Sequence, residues 1–316
     1  MRKETPPVLA MAGILVVCQL AAIAITPLYL AKTEPVFENP NDPVNALVYL
    51  VLILAFTGII LFIVRRRRAN IMKYVILFSM FFTMLFVFYI PFIALFEWFG
   101  SPIADGLATL EALVLSTALT YALAKHPEWY LIDAVGILVA VGVIALLGMS
   151  FAILPAVLLL IALAIYDAIS VYKTKHMVVL ADAVAGQRLP ILIVIPKHRH
   201  YSFLRQTSLR EQIASGEERE AMFMGLGDII IPGILVVSAF VSLLNRGVTV
   251  FGIAGNQIVA VATVLGTLVG FSILMRFVLK GNPQAGLPLL NSGALVGYGI
   301  AYLLVYGDLT FGVSLG

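Results

Sequence analysis

The sequence predicts an all-α polytopic membrane protein, and three observations predict it. Apolar residues make up 61% of the 316-residue chain, charged residues make up only 12%, and the apolar residues fall in runs about as long as a bilayer is thick. Water-soluble domains are about 25% charged. Half that fraction leaves too little polar surface for a soluble chain of this size, and a mean hydropathy of +1.04 agrees. The same figures exclude a wholly disordered chain. The single Cys18 excludes a disulfide-stapled secreted domain, and a net charge of +3 provides no broad nucleic-acid-binding face.

A hydrocarbon core about 30 Å thick takes about 20 apolar residues per helix. Runs of that length lie at 8–31, 44–64, 72–99, 103–124, 130–148, 151–172, 221–244, 251–277 and 286–306, nine in all. Strand-length alternation is absent, and a helix satisfies its own backbone groups in lipid, so helices rather than a β-barrel are expected. Only Met149 and Ser150 separate the fifth and sixth runs. Pro155 falls in the first turn of the sixth, where proline costs little. The first run follows Met1-Arg2-Lys3, but it is longer than a signal-peptide core and lacks an obvious cleavage site, so it is read as an uncleaved first helix.

Charge sets the topology. With the N-terminus in the cytosol, 18 of the 20 Lys and Arg residues fall on the inner side, and only Lys32 and Arg246 fall outside. This is the positive-inside bias, and nine crossings then put the C-terminus on the outer side. Residues 1–172 form a six-helix part, 173–220 a long cytosolic loop and 221–316 a three-helix part. In a prokaryote such a chain belongs in the plasma membrane. The loop carries eight basic and five acidic residues, yet its segment 189–196 reads Leu-Pro-Ile-Leu-Ile-Val-Ile-Pro. That stretch is too short to cross the membrane and too apolar for a solvated linker. Its β-branched content suits an extended segment that pairs with something.

Ionisable groups inside a span are costly and point to function. Most of the 17 acids sit in loops or at span ends, and four are embedded in predicted spans: Glu111, Asp133, Asp167 and Asp228. Glu111 stands alone and is read as a bundle-facing acid paired with a hydroxyl. Asp133 lies close enough to the cytosolic edge to be wet. Asp167 and Asp228 are matched by geometry. One lies six residues before Lys173 in a helix running toward the cytosol, the other eight after Glu220 in the next helix leaving it, so about 9 and 12 Å deep at 1.5 Å per residue. On facing antiparallel helices the two carboxylates can meet. Both ionised would repel strongly in low dielectric, so the pair should share one proton. Aspartic proteolysis needs that state: one carboxylate takes a proton from water while the other donates to the scissile carbonyl.

The flanking residues fit. Gly225 and Gly227 remove side chains beside Asp228 and permit close approach of a helix or substrate. Pro232 with Gly233 is expected to loosen the helix. Tyr166 either orients substrate, covers the pair or is an ordinary packed aromatic. Pro288 opens Pro288-Leu289-Leu290 eight residues after Lys280 and is expected at a similar depth, about 12 Å, lining the same cavity.

Tyr166-Asp167 in the sixth span, Gly225-Leu226-Gly227-Asp228 in the seventh and Pro288-Leu289-Leu290 in the ninth resemble, in this order and topology, the presenilin and signal-peptide-peptidase family of intramembrane aspartic proteases. The resemblance takes in the nine-span layout and the long loop, effectively the whole chain. It implies hydrolysis of peptide bonds within transmembrane helices of membrane-protein substrates, with Asp167 and Asp228 as the catalytic pair and no metal or other cofactor. The family's third motif reads Pro-Ala-Leu; Leu289 stands at the alanine position, where its bulk is expected to narrow substrate choice or lower activity. A cytosolic N-terminus resembles the presenilin-like branch, and the compact chain is similar to microbial, especially archaeal, members. The family also suggests that an extended substrate segment adds as a strand to the loop around Leu189, Ile191 and Ile193. Transmembrane substrates, lipid and a further copy of the chain are the partners expected.

Rival readings exist. A proton-coupled transporter or a cation leak channel would also use buried aspartates in broken helices, but a transporter predicts internal hydropathy repeats and no convincing one is present. A prepilin-peptidase-like protease needs a cysteine quartet that one Cys cannot supply. Gly-x-Ser-x-Gly and His-Glu-x-x-His are both absent. His198-x-His200 is read as part of a solvated basic loop rather than a metal site.

Overall fold

The computed structural model describes residues 4–66, 69–174, 192–198, 201–202, 220–280 and 284–313. Among these, nine helices are long and apolar enough to cross a membrane. They are α1 (Thr5–Lys32), α2 (Val44–Arg65), α3 (Ala69–Trp98), α4 (Ala104–Lys125), α5 (Trp129–Ser150), α6 (Ile153–Ile169), α7 (Leu226–Ser242), α8 (Gly255–Val278) and α9 (Gly286–Tyr306).

Two boundaries differ from the apolar runs by more than three residues. The seventh helix begins at Leu226, because Ala221–Gly225 is a strand, β2, paired antiparallel with β1 (Leu192–Pro196). The extended segment expected in the long loop thus has its partner in what hydropathy alone merges with the seventh span. Gly225 remains extended (φ −66°, ψ 138°) as the N-cap of α7, so the helical run starts after it. The eighth helix starts at Gly255, after a short hairpin of β3 (Thr249–Val250) and β4 (Ile253–Ala254).

Helix α7 occupies the centre, packed against α1, α5, α6, α8 and α9. Glycines permit the approach to α5: a Cβ at Gly148 would run into Val237, and one at Gly233 would lie 2.8 Å from Ile144. Gly233 therefore makes room for a neighbour. The expected loosening does not occur, since α7 is continuous through Pro232. What Pro232 does remove is one N–H, which leaves the carbonyl four residues earlier, that of Asp228, without its helical donor.

The closest crossing joins α8 and α9. A Cβ at Gly266 would overlap the Gly293 carbonyl, one at Gly293 would overlap the Gly266 carbonyl, and one at Gly297 would lie 2.6 Å from the Ala262 oxygen. Gly270 abuts the Leu289 carbonyl in the same way. Small residues one turn apart bring the two backbones into direct contact, which fixes where the first turn of α9 stands. At the opposite end of α9, Arg246 lies over the rings of Tyr302 and Tyr306 and donates to Asp308 Oδ2 at 2.7 Å. Hydrogen bonds from Thr310 and Tyr302 hold the Asp308 carboxyl down at about 2.

Two acids are not where the sequence suggests. Glu111 is exposed on α4 rather than facing the bundle. Helix α4 packs chiefly on α3 and buries Ala104, Ala108, Ala112 and Ser116, a stripe of small residues with no room for a carboxylate. Asp133 is not wet: it is only 7% exposed, because the strand pair covers it.

The glycine crossing makes a testable demand. Gly293→Ala should lower stability by about 1–3 kcal/mol, the usual cost of overpacking, seen as a lower thermal midpoint in detergent. Gly106→Ala, where a Cβ meets nothing within 4 Å, should leave the midpoint unchanged or raise it slightly, as alanine favours a helix. Equal midpoints for both variants would refute the close crossing.

Candidate active site

Three features converge, and each is the third residue from a helix end. Asp167 is third from the end of α6, Asp228 third in α7 and Pro288 third in α9. Counting helical residues from the loops does not give their depth, because 221–225 is extended and 170–174 is a π-helical turn. The two acids are nonetheless brought together, since each occupies the terminal turn of its helix at the same end of the bundle.

The backbone donors of α9 explain the arrangement. A helix leaves its first N–H groups without internal partners. Here the Ala285 N–H reaches the Tyr172 hydroxyl at 3.4 Å, while the Gly286 and Leu287 N–H groups both donate to the Asp167 carboxylate, Leu287 at 3.1 Å. Pro288 has no N–H to satisfy. Asp167 thus caps another helix, at the end where the helix dipole favours negative charge. Tyr172, in the turn after α6, also donates to Gln284 Oε1, which ties the approach to α9 back to α6.

Asp228 accepts the N–H of Gly225, the N-cap of its own helix, which is half of a capping box. Its other face meets Gly286: a Cβ there would lie 3.0 Å from Asp228 Oδ1 and 3.2 Å from Cγ. One glycine therefore touches both acids, giving its N–H to Asp167 and its bare Cα face to Asp228. The two carboxylates are near enough to interact electrostatically. Asp167 is 5% exposed and Asp228 is partly accessible. Beside Asp228, Gly227 is exposed and a Cβ on it would meet nothing within 4 Å, so this flank is open to an incoming chain.

The other site candidates divide. Tyr166, Pro288 and Leu289 are half-buried. Leu226 and Leu290 are core residues, 6% and 0% exposed, that support the cleft rather than line it. Ile193 is also fully buried, and its side chain packs toward Gly136 of α5. Leu189 and Ile191 lie outside the described residues, as does His200; His198 is exposed. Among the described residues no group of three or more His, Cys, Asp or Glu side chains is arranged to hold a metal. Sequence reasoning missed Gly286, Tyr172 and Gln284. The usable signal for Gly286 was a glycine two positions before the proline at the start of a span.

The family model for signal-peptide peptidase and presenilin aspartyl protease matches residues 12–306, a range that contains both acids and all three motifs. Two solved structures of a presenilin-family intramembrane aspartate protease, in C222 and P2 space groups, each match at 32% identity and a TM-score of 0.64. Both matches cover 95% of this chain, and 100% and 98% of the respective solved chains. Signal peptide peptidase-like 2A of Mus musculus is 25% identical over 189 residues, which is 56% of this chain and 33% of that protein. The chain therefore aligns with about a third of the length of that curated relative. None of these matches favours a transporter or a channel. The chain belongs to the signal-peptide peptidase and presenilin family of aspartyl proteases.

Proposed function

We propose that this chain is an intramembrane aspartic endopeptidase that hydrolyses peptide bonds within transmembrane helices of membrane-protein substrates, with Asp167 and Asp228 as its catalytic pair. The observation that carries the reading is the convergence of the two carboxylates on Gly286, which gives its N–H to Asp167 and its Cα face to Asp228. In the reaction, the ionised carboxylate takes a proton from a water held between the pair. The water oxygen attacks the scissile carbonyl carbon as the protonated carboxyl gives its proton to the carbonyl oxygen. Collapse of the tetrahedral intermediate breaks the C–N bond, and a proton passes to the leaving amine.

A helical substrate hides its peptide bonds, so the bond to be cut has to become extended first. The β1–β2 pair runs directly into the turn that bears Asp228, which supports addition of the substrate segment as a further strand. Orientation follows from charge. Lys197, beside β1, pairs with Glu4 at the start of α1, so the start of α1, the strand pair and the acids share one end of the bundle. The positive-inside bias assigns that end to the cytosol.

Purified protein incubated in detergent with a single-span substrate tests the reading. Asp167→Ala and Asp228→Ala should each reduce new peptide termini by about 10⁴-fold or more, because groups acting as a unit fail together. Both variants should stay folded, with thermal stability lowered by no more than the loss of a helix cap, about 0.5–2 kcal/mol, and cleavage by either variant at the native rate would refute the assignment.

Gly286→Ala should lower turnover by about 10- to 100-fold through displacement of the carboxylates, with the substrate still bound. An unaltered kcat would mean that the close approach of Gly286 has no part in the chemistry.

Ile193→Pro removes a ladder donor from β1 and should impair cleavage without affecting membrane insertion. Full activity in that variant would count against strand addition.

A further inference from the structure

The acid that the catalytic pair does not use is Asp133. It is the fifth residue of α5, 7% exposed, and its Oδ1 accepts the Val194 N–H at 2.7 Å. In an antiparallel pair, residues alternate between bonding the partner strand and pointing away from it. The Val194 N–H goes to Asp133, so Val194 forms the outer edge of β1 and its neighbours Ile193 and Ile195 face β2. Three residues further along α5, Gly136 completes the seat: a Cβ there would lie 3.3 Å from both Ile193 Cδ1 and Leu226 Cδ2. Helix α5 therefore holds β1 at two adjacent points, one polar and one apolar.

That grip extends to the site. The β1–β2 register ends with Leu192 opposite Gly225, and Gly225 is the N-cap of the helix that carries Asp228. A buried carboxylate is a costly way to seat a strand, since apolar packing alone does so without the desolvation penalty. What it supplies is a single allowed position. A one-residue slip reverses every side chain, but β1 reads Leu-Ile-Val-Ile-Pro and stays apolar on either face, so a hydrogen bond to one particular amide specifies a register that apolar contact does not.

We propose that Asp133 is a positioning residue for the proteolysis: by holding Val194 it fixes the β1–β2 pair relative to Asp167 and Asp228, and so selects which peptide bond of a strand-paired substrate is cut. The proposal rests on the protease reading above. Its test uses the full chain in detergent with a single-span substrate, products sequenced by mass spectrometry, and a short peptide carrying a hydroxyethylene isostere as a probe of the catalytic pair alone. Asp133→Ala should spread cleavage to neighbouring bonds and lower kcat/KM by about tenfold, while isostere affinity stays within about twofold. Asp133→Asn, which keeps an acceptor oxygen at the same place, should restore the native bond. A native product pattern in Asp133→Ala, isostere binding lost in step with cleavage, or no rescue by Asn would each overturn it. Undiminished cleavage by Asp167→Ala in the same assay would instead sink the protease reading itself.

Discussion

The start of α9 is the point on which the rest of the site depends. Two backbone N–H groups there need an acceptor, and the acceptor is the carboxylate of Asp167 on a different helix. The interaction is reciprocal. The acid completes the helix end, and the helix end fixes the acid's orientation and offers its positive dipole to the charge. Pro288 fits this role because it has no N–H: a third donor in the same turn would need its own acceptor or compete for Asp167. The glycine contacts between α8 and α9 then set the position of that turn from behind, through Gly270 against the Leu289 carbonyl. A motif that looks like a substrate-lining tripeptide is, in its first instance, the terminus that aims an acid.

Asp228 is aimed by different means. It leads a helix that emerges from a strand, so its direction is set by the strand's partners as much as by helix packing. β1 is anchored to α5 through Asp133 and Gly136, and to the start of α1 through Lys197 and Glu4. The two catalytic candidates are thus held from opposite sides, Asp167 by α9 and Asp228 by the strand pair. Gly286 is the place where the two supports meet.

Hydropathy and charge made the helices legible, because a span must be apolar over about 20 residues whatever its neighbours are. The ninth run, 286–306, coincides with α9 to the residue. The same signal is blind to Ala221–Gly225, whose Met-Phe-Met core is as apolar as a helix start and becomes a strand only because 192–196 lies beside it. The same long-range pairing buries Asp133: distance to its helix end points to a wet carboxylate, but a segment 61 residues away covers it. For Glu111 the answer lies within its own helix, since the small residues Ala104, Ala108, Ala112 and Ser116 mark the face that packs and Glu111 is off it. Asp167 and Asp228 are legible because an acid in an apolar run stands out by its cost, and their similar distance from the loop that joins two consecutive antiparallel spans pairs them. Gly286 is not, for a glycine carries no chemistry until one knows what would collide with its missing side chain.

The position of both acids at helix termini, rather than at mid-span, suits the chemistry that intramembrane hydrolysis requires. A carboxylate deep in a continuous helix would face lipid or other side chains and could draw on no free backbone donor, because every N–H around it is already bonded to a carbonyl. At a helix end, unpaired N–H groups are available to a charged oxygen, and water has a shorter path. The open flank at Gly227 lies beside one acid, and the strand pair leads into the same turn. On the proposed strand addition, a substrate there would exchange helical hydrogen bonds for strand hydrogen bonds without leaving backbone groups unsatisfied in lipid, where each would cost several kcal/mol. The strand pair and the helix-end acids therefore answer one constraint: a peptide bond becomes attackable inside a membrane only where its backbone has somewhere else to bond.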